Sequence, residues 1–104
     1  MIIDDIRERC QDDTIEVTSH MLQRLQNRKI SYSEVKHVII NGEIIEEYPD
    51  DFPYPSCLIL GLTEAKRVIH VVVGVGECKL WFITAYEPDT EKWSSDFRVR
   101  KELT

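Results

Sequence analysis

Three polar residues, His20, Arg24 and Arg28, recur every four positions along the chain. In a helix this spacing stacks them on successive turns of one side. A neighbouring guanidinium group disfavours the protonated imidazole, so His20 can accept a proton near neutral pH. Arginine offers a planar set of donors to a phosphate group. These residues therefore match two needs of metal-free RNA cleavage: a base for the 2′-hydroxyl and cations for the charge developing at phosphorus.

The same spacing is also typical of an ordinary solvent-exposed helix side. Spacing alone favours that structural interpretation, because clustered charges mark functional sites only statistically. A second basic group, Arg98-x-Arg100-Lys101, has two interpretations as well. It can clamp a phosphate, or it can supply the cations that stabilise a helix C-terminus, and the second interpretation is favoured.

A third requirement of the cleavage is an acid for the leaving 5′-oxygen, and strand-like segments supply the candidates. Thr84 and Tyr86 are expected on one face of a strand together with Leu80 and Phe82. His70 lies among valines, either as a core histidine with a backbone or threonine partner, or facing a substrate beside Thr84 or Tyr86. The sequence leaves this open, because a one-residue register shift moves His70 to the other face.

Several other chemistries lack their motifs. The chain has no P-loop, no HExxH, no GxSxG and no paired Cys/His spacing of a zinc site. Its three cysteines, Cys10, Cys57 and Cys78, are odd in number and widely spaced, which favours small core residues over disulfides. We therefore expect no metal ion and no other cofactor.

The charge of the chain is segregated. The net charge of −6 at first counts against nucleic-acid binding. However, the acidic residues concentrate at the N-terminus and in residues 43–51, whereas residues 20–37 are mostly basic. A local phosphate site is therefore compatible with an acidic protein.

The apolar runs, the N-terminal charges and the cysteines together indicate where in the cell the protein is located. No apolar run approaches the roughly 20 residues that a membrane helix needs. The N-terminus Met1–Asp5 carries acids where a signal peptide carries bases. The cysteine usage fits a reducing compartment. We therefore expect a cytoplasmic protein that does not enter a membrane.

The 104 residues allow one domain, 1–104, with an ordinary balance of 42% apolar and 31% charged residues. The predicted elements are a helix at 2–10, a short strand at 14–17, helices at about 19–28 and from the Ser31 cap to 41, strands at 43–48, 57–62, 67–73 and 79–86, and a helix at 88–101. Short connections require antiparallel neighbours among the last four strands. The predicted fold class is α+β: N-terminal helices packed on a four- to five-stranded antiparallel sheet, with a C-terminal helix.

The motifs of residues 19–30 are followed by others in a fixed order: Gly42-x-Ile44-Ile45-x-x-Tyr48, His70-Val71-Val72-Val73-Gly74, Ile83-Thr84-x-Tyr86-x-Pro88-Asp89 and Trp93. Together they resemble a widespread uncharacterised bacterial family, a domain of unknown function. The resemblance spans roughly residues 14–100. That family in turn resembles a distant branch of the RelE/ParE-type toxin superfamily.

The resemblance implies a RelE-like core at 14–104 with an appended N-terminal helix at 1–13. It also implies a toxin–antitoxin module, often with a zinc-finger-type antitoxin as partner, and endoribonuclease activity. The His, Arg, Thr and Tyr positions of metal-free RNA-cleaving relatives then correspond to His20, Arg24, Thr84 and Tyr86. Together with Arg28 and His70, these are the predicted catalytic residues.

Two other hypotheses compete with the enzyme. In one, the fold is a non-catalytic module that binds a protein through the acidic segment 43–51. In the other, the chain is a structural homodimer that buries Trp81 or Trp93 between subunits. Fold analogy alone does not decide among them, because one fold hosts many functions.

Overall fold

A computed structural model describes residues 1–102 of the chain. The described part contains three helices and one five-stranded sheet, in the order α1 (Ile3–Glu8), β1 (Ile15–Glu16), α2 (Ser19–Asn27), α3 (Tyr32–Asn41), β2 (Glu43–Tyr48), β3 (Ser56–Leu62), β4 (Val68–Val75) and β5 (Leu80–Tyr86). The strand order across the sheet is β1-β5-β4-β3-β2. The α+β class is therefore confirmed.

The sheet is mixed, so the prediction of a purely antiparallel sheet is wrong. Strands β2 to β5 pair antiparallel, as their short connections require. Strand β1 pairs parallel with β5, placing Ile15 opposite Leu80 and Glu16 opposite Trp81. No hairpin restricts the direction of β1, because two helices and three strands separate it from β5 along the chain.

Local signals position the two long helices as predicted. Thr18 Oγ1 accepts a hydrogen bond from the Met21 amide at 3.1 Å and begins α2. Ser31 and Glu34 form a reciprocal capping box at the start of α3. Met21 and Leu25 are the residues that α2 buries, whereas Leu22 is exposed.

The end of α3 at Asn41 is followed by a glycine that is not in a left-handed turn. Gly42 has an extended backbone with φ of −90°. A Cβ atom at this position would lie 2.5 Å from the carbonyl oxygens of both Val38 and Leu60. Glycine is therefore required here for the close approach of α3 to β3, not for a positive φ.

The predicted helix at 88–101 does not form. Residues 87–102 follow β5 as turns with one antiparallel bridge, between Trp93 and Arg100. Ser94 and Asp96 bond to each other and to the backbone of this segment, which competes with helix formation. We call residues 87–102 the C-terminal strap, because they lie across one face of the sheet.

The two faces of the sheet have different covers. The helices cover one face, where the side chains are mainly aliphatic and fully buried: Ile59, Ile69, Val71, Val73, Leu80, Phe82 and Ala85 among them. The opposite face, which we call the outer face, carries Glu46, Tyr48, Leu58, Leu60, His70, Val72, Trp81, Thr84 and Tyr86 by strand alternation. None of the helices in residues 1–102 is long and apolar enough to cross a membrane.

Two of the three thiols lie in the interior. Cys10 and Cys57 are buried, whereas Cys78 is exposed. Burial raises the pKa of the Cys10 thiol to about 11 and that of Cys57 to about 12. Both therefore stay protonated at neutral pH, and the prediction of small core residues is confirmed for these two and wrong for Cys78.

Candidate functional site

A β-bulge near the end of β5 decides which side chains meet. Thr84 pairs with Val72 and Phe82 pairs with Val73, so that Ile83 is an extra residue with no partner opposite it on β4. One extra residue reverses the alternation of all side chains beyond it. Before the bulge, the even-numbered residues of β5 therefore face the helices. After it, the even-numbered residues face the outer side of the sheet.

The bulge answers the question left open about His70. Leu80 and Phe82 lie in the core under the helices, whereas His70 and Tyr86 are directly opposed partners on the outer face. The prediction that Thr84 and Tyr86 share a face with Leu80 and Phe82 is thus wrong. The pairing of His70 with Tyr86, one of the two predicted arrangements, is present.

His70 is enclosed on the outer face, with 0% of its surface exposed. Its Nε2 lies 2.9 Å from the carbonyl oxygen of Phe97, and its Nδ1 lies 3.4 Å from the Tyr86 hydroxyl. Trp93 packs edge-on against the imidazole at a centroid distance of 4.5 Å. Since a carbonyl only accepts, Nε2 carries the proton and Nδ1 accepts from Tyr86. His70 can therefore reach a substrate only through Tyr86.

Both members of this pair are held neutral. Burial lowers the pKa of His70, although the bond to the Phe97 carbonyl acts in the opposite direction. Burial raises the pKa of Tyr86, against the opposing effect of the Arg100 and Arg28 charges. At neutral pH Tyr86 is thus a protonated phenol next to a neutral imidazole, and its pKa also responds to the charges of Arg100, Glu46 and Arg28.

Arg28 connects α2 to the outer end of β5. Its Nη1 donates to Thr84 Oγ1 at 3.1 Å and to the Ala85 carbonyl oxygen at 2.7 Å. Arg28 is the C-cap residue of α2, so the end of this helix determines where the guanidinium lies. The contact joins the two groups of residues that the sequence indicated separately.

A second arginine holds the end of α2 in place. Arg67 donates to the carbonyl oxygens of Arg28 and Lys29, and it pairs with Glu87, which follows β5 directly. Lys29 has a left-handed backbone with φ of 56°, which turns its carbonyl away from the helix. Arg67 thus positions Arg28 against the end of β5, a role that sequence analysis missed and that no local motif signals.

His20 and Arg24 lie in α2, nearer its N-terminus than Arg28, and both are exposed. Eight residues of helix separate the backbone of His20 from that of Arg28 by about 12 Å. The Arg28 amide donates to the Arg24 carbonyl oxygen within the helix, but within residues 1–102 no side-chain hydrogen bond or ion pair joins His20 or Arg24 to the other predicted site residues. The structure therefore brings four of the six predicted residues together: Arg28, His70, Thr84 and Tyr86.

A polar network beside His70 was also missed. The Arg100 guanidinium lies 4.7 Å from the centre of the Trp93 ring and donates to both carboxylate oxygens of Glu46. Tyr48 donates to the same carboxylate. Burial opposes ionisation of Glu46, but the bonds from Arg100 and Tyr48 outweigh it and lower its pKa. The complementary charges of segments 43–51 and 98–101 were the available signal.

The second basic group, Arg98-x-Arg100-Lys101, has a different role from the two that the sequence suggested, a phosphate clamp or the cations of a helix C-terminus. Arg98 pairs with Glu43 and Arg100 with Glu46, while Lys101 donates to the Thr90 carbonyl oxygen. Arg98 and Arg100 therefore fasten the strap to β2, and Lys101 joins two parts of the strap. The favoured interpretation, cations at a helix C-terminus, is wrong because the strap is not a helix.

Metal-ligating side chains are not gathered in this site. In the part of the chain that the structure describes, no three or more His, Cys, Asp or Glu residues are arranged to hold a metal ion. Arg28 is the cation beside Tyr86 that has no ion pair within residues 1–102, whereas Arg100 is paired with Glu46. This arrangement can hold a phosphate next to a protonated phenol.

Comparison with known proteins gives a family but no described relative. A family model, the domain of unknown function DUF4258, matches residues 17–87, which is more than half of the chain. The match contains all six predicted site residues and leaves out α1 and all but the first residue of the strap. No curated protein and no solved structure matches the chain. The chain belongs to the DUF4258 family of domains of unknown function.

Proposed function

We propose that this chain is a metal-independent endoribonuclease of a cytoplasmic toxin–antitoxin module and a distant relative of the RelE/ParE-type toxins. One observation carries the proposal. The Arg28 guanidinium lies on Thr84, beside a protonated Tyr86 that is backed by His70. Cation and acid are thus adjacent at the end of β5, as cleavage of a phosphodiester requires.

The reaction is attack of the RNA 2′-hydroxyl on the adjacent phosphorus. His20 is the proposed acceptor of the 2′-hydroxyl proton as the 2′-oxygen forms its bond to phosphorus. Because the His20 backbone lies about 12 Å from that of Arg28, this role requires the phosphate to bind between the two side chains. Arg24 and Arg28 stabilise the added negative charge. The bond between phosphorus and the 5′-oxygen breaks, giving a 2′,3′-cyclic phosphate and a 5′-hydroxyl end.

Tyr86 supplies the proton for the leaving 5′-oxygen. Burial raises its pKa, so that the phenol is protonated before the reaction. The 3.4 Å distance between its hydroxyl and His70 Nδ1 is longer than a strong hydrogen bond, which leaves the hydroxyl able to turn towards a substrate. After proton transfer, Arg28 and Arg100 stabilise the phenolate.

Thr84 and His70 act as positioning residues. Thr84 Oγ1 accepts from Arg28 Nη1 and so fixes the direction of the guanidinium. His70 holds the Tyr86 ring at a centroid distance of 5.4 Å, edge to face. His70 is itself held by the Phe97 carbonyl, so the strap contributes to the orientation of Tyr86.

The test is incubation of the purified chain with end-labelled RNA in EDTA, with and without ribosomes. We expect a 2′,3′-cyclic phosphate at each cut and no cut at a position carrying a 2′-deoxy nucleotide. Tyr86→Phe and Arg28→Ala should each reduce the cleavage rate about 10²–10⁴-fold, which is typical of the loss of an acid or a charge stabiliser. Arg28→Lys should restore only part of the rate, because lysine lacks the planar fork.

Lys79→Ala is the matched control, since it removes an exposed cation just before β5, at the strand end away from Thr84. Intact RNA under both conditions would refute the proposal. Cleavage that continues unchanged in Tyr86→Phe and Arg28→Ala, or that cuts 2′-deoxy positions, would refute the assigned mechanism.

A further inference from the structure

The outer face has an apolar area that the strap does not cover. Phe52 is 95% exposed and Ile83 is 47% exposed, and both lie close to Tyr54 and Trp81. We call these four residues the bare patch. Clustered exposed apolar side chains on a small domain mark interaction surfaces more often than chance, whereas single ones need no explanation.

The bare patch has a defined concave shape. Tyr54 stacks on Trp81 with their ring centres 5.8 Å apart and their planes 19° apart. Phe52, Ile83 and the backbone of Gly74 complete a cavity of about 300 Å³. This is at the small end of ligand pockets and suits one large apolar side chain.

A second concavity of about 560 Å³ adjoins the first. Tyr54 and Trp81 line both, so the stacked pair forms a ridge between them. Glu77 lines the far side of this second concavity and Asp51 lines the first. An extended segment crossing the ridge would place successive side chains in the two depressions.

The charges around the bare patch indicate which class of molecule can bind there. Asp50, Asp51 and Glu77 are exposed, and within residues 1–102 none of them takes part in an ion pair. By contrast, Lys79, the cation that lines the second concavity, is paired with Glu16. Arg9 donates to the Glu77 carbonyl oxygen at 2.7 Å, so its charge offsets that of Glu77. The uncompensated charge beside the bare patch is therefore that of Asp50 and Asp51, which repels both nucleic-acid phosphates and a second copy of a chain with net charge −6.

Only part of the acidic segment 43–51 can act as a binding surface for another protein. Glu43 and Glu46 already pair with Arg98 and Arg100 of the strap. Asp50 and Asp51 are therefore the members of that segment that remain available next to the bare patch. Electrostatic recognition is concentrated where the exposed aromatic side chains are.

We propose that the bare patch binds an extended segment of a partner protein that carries a large apolar side chain flanked by lysine or arginine. The apolar side chain enters the cavity between Phe52 and Ile83, and the cations pair with Asp50 and Asp51. The proposal does not depend on the ribonuclease activity, because none of these residues belongs to that site.

The test is selection of peptides from a random display library on the intact immobilised chain, followed by anisotropy titration of the selected peptides. Ile83→Ser and Phe52→Ser should each weaken binding at least about tenfold, as expected for anchors of an interface. Asp50→Asn with Asp51→Asn should weaken binding less, and should reduce its dependence on salt. Leu62→Ser is the matched control, because Leu62 is 50% exposed outside the bare patch.

The proposal is supported if selected peptides carry lysine or arginine beside an apolar residue and depend on Ile83 and Phe52. It is overturned if no peptide is enriched, if enriched peptides are acidic, or if Leu62→Ser has the same effect as Ile83→Ser. Competition by a single-stranded RNA oligonucleotide would assign the bare patch to nucleic acid instead. A dimer in light scattering that Ile83→Ser dissociates would assign it to a second copy.

Discussion

The two faces of the sheet are closed by different physical means. The helix face is a dry layer of aliphatic side chains such as Ile59, Ile69 and Val71, all fully buried. The outer face is closed in part by the strap, whose attachment combines the ring of Trp93, the ion pairs of Arg98 and Arg100, and one bond to His70.

The helix face contributes mainly to the stability of the fold, whereas the outer face carries the proposed functional residues. Burial of apolar area on the helix face involves no titrating group, whereas attachment of the strap depends on ion pairs, which salt screens, and on a neutral imidazole. The proposed ribonuclease residues Arg28, Thr84 and Tyr86 lie where the strap-covered area meets the edge of β5. No residue of the strap lines the cavity of the bare patch, which therefore lies outside the area that the strap covers. Four predictions test whether the two faces differ in this way.

The largest effect is expected on the helix face. Ile59→Ala should lower the free energy of unfolding by about 3 kcal/mol, because it removes a fully buried side chain and leaves a cavity. Ile59→Val should cost about 1 kcal/mol. Urea denaturation followed by circular dichroism measures both. Equal, small losses for the two variants would show that this layer is loosely packed and would break the comparison.

On the outer face, pH should change stability through His70. Burial lowers the pKa of His70 in the folded chain, so the unfolded chain binds its proton first as the pH falls. The free energy of unfolding should therefore decrease from about pH 7 to about pH 5.5, by at most about 1.4 kcal/mol per pH unit. Denaturation curves across this range measure the slope.

The control for this slope is His70→Gln, which keeps a polar side chain but does not titrate. It should flatten the pH dependence in this range relative to the original chain. A slope that survives in His70→Gln would mean that another group controls the acid sensitivity.

A smaller effect is expected for Arg100 of the strap. Arg100→Lys should destabilise the chain by about 0.5–1 kcal/mol, because lysine cannot pair with Glu46 through a planar fork while lying over Trp93. Hydrogen exchange should also become faster in residues 93–101 than in β4. If exchange accelerates equally throughout the chain, the strap unfolds only with the whole domain.

The smallest effect is expected at Phe52. Phe52→Ser should change the free energy of unfolding by no more than about 0.5 kcal/mol, because the side chain is 95% exposed. Thermal denaturation compares it with the original chain. A loss above about 1 kcal/mol would show that Phe52 contributes to the fold, and the bare patch would then not be a free surface.

Much of the fold could be predicted because its signals are local. Thr18, and Ser31 with Glu34, cap helices through bonds that span three residues. The alternation in β2 to β5 and the short connections between these strands required antiparallel pairing, which the structure confirms. The parallel pairing of β1 was not predictable in this way, because its partner lies more than 60 residues away.

The candidate site also has a part that local sequence signals predict and a part that depends on long-range contacts. By itself the sequence determined that His20, Arg24 and Arg28 share a helix and that Thr84 and Tyr86 share a strand, since each group lies within a few residues and one backbone period. Only the tertiary structure decided that Arg28 meets Thr84 and that Tyr86 meets His70. These contacts depend on a bulge at Ile83 and on residues far apart in the chain, and no local preference determines them.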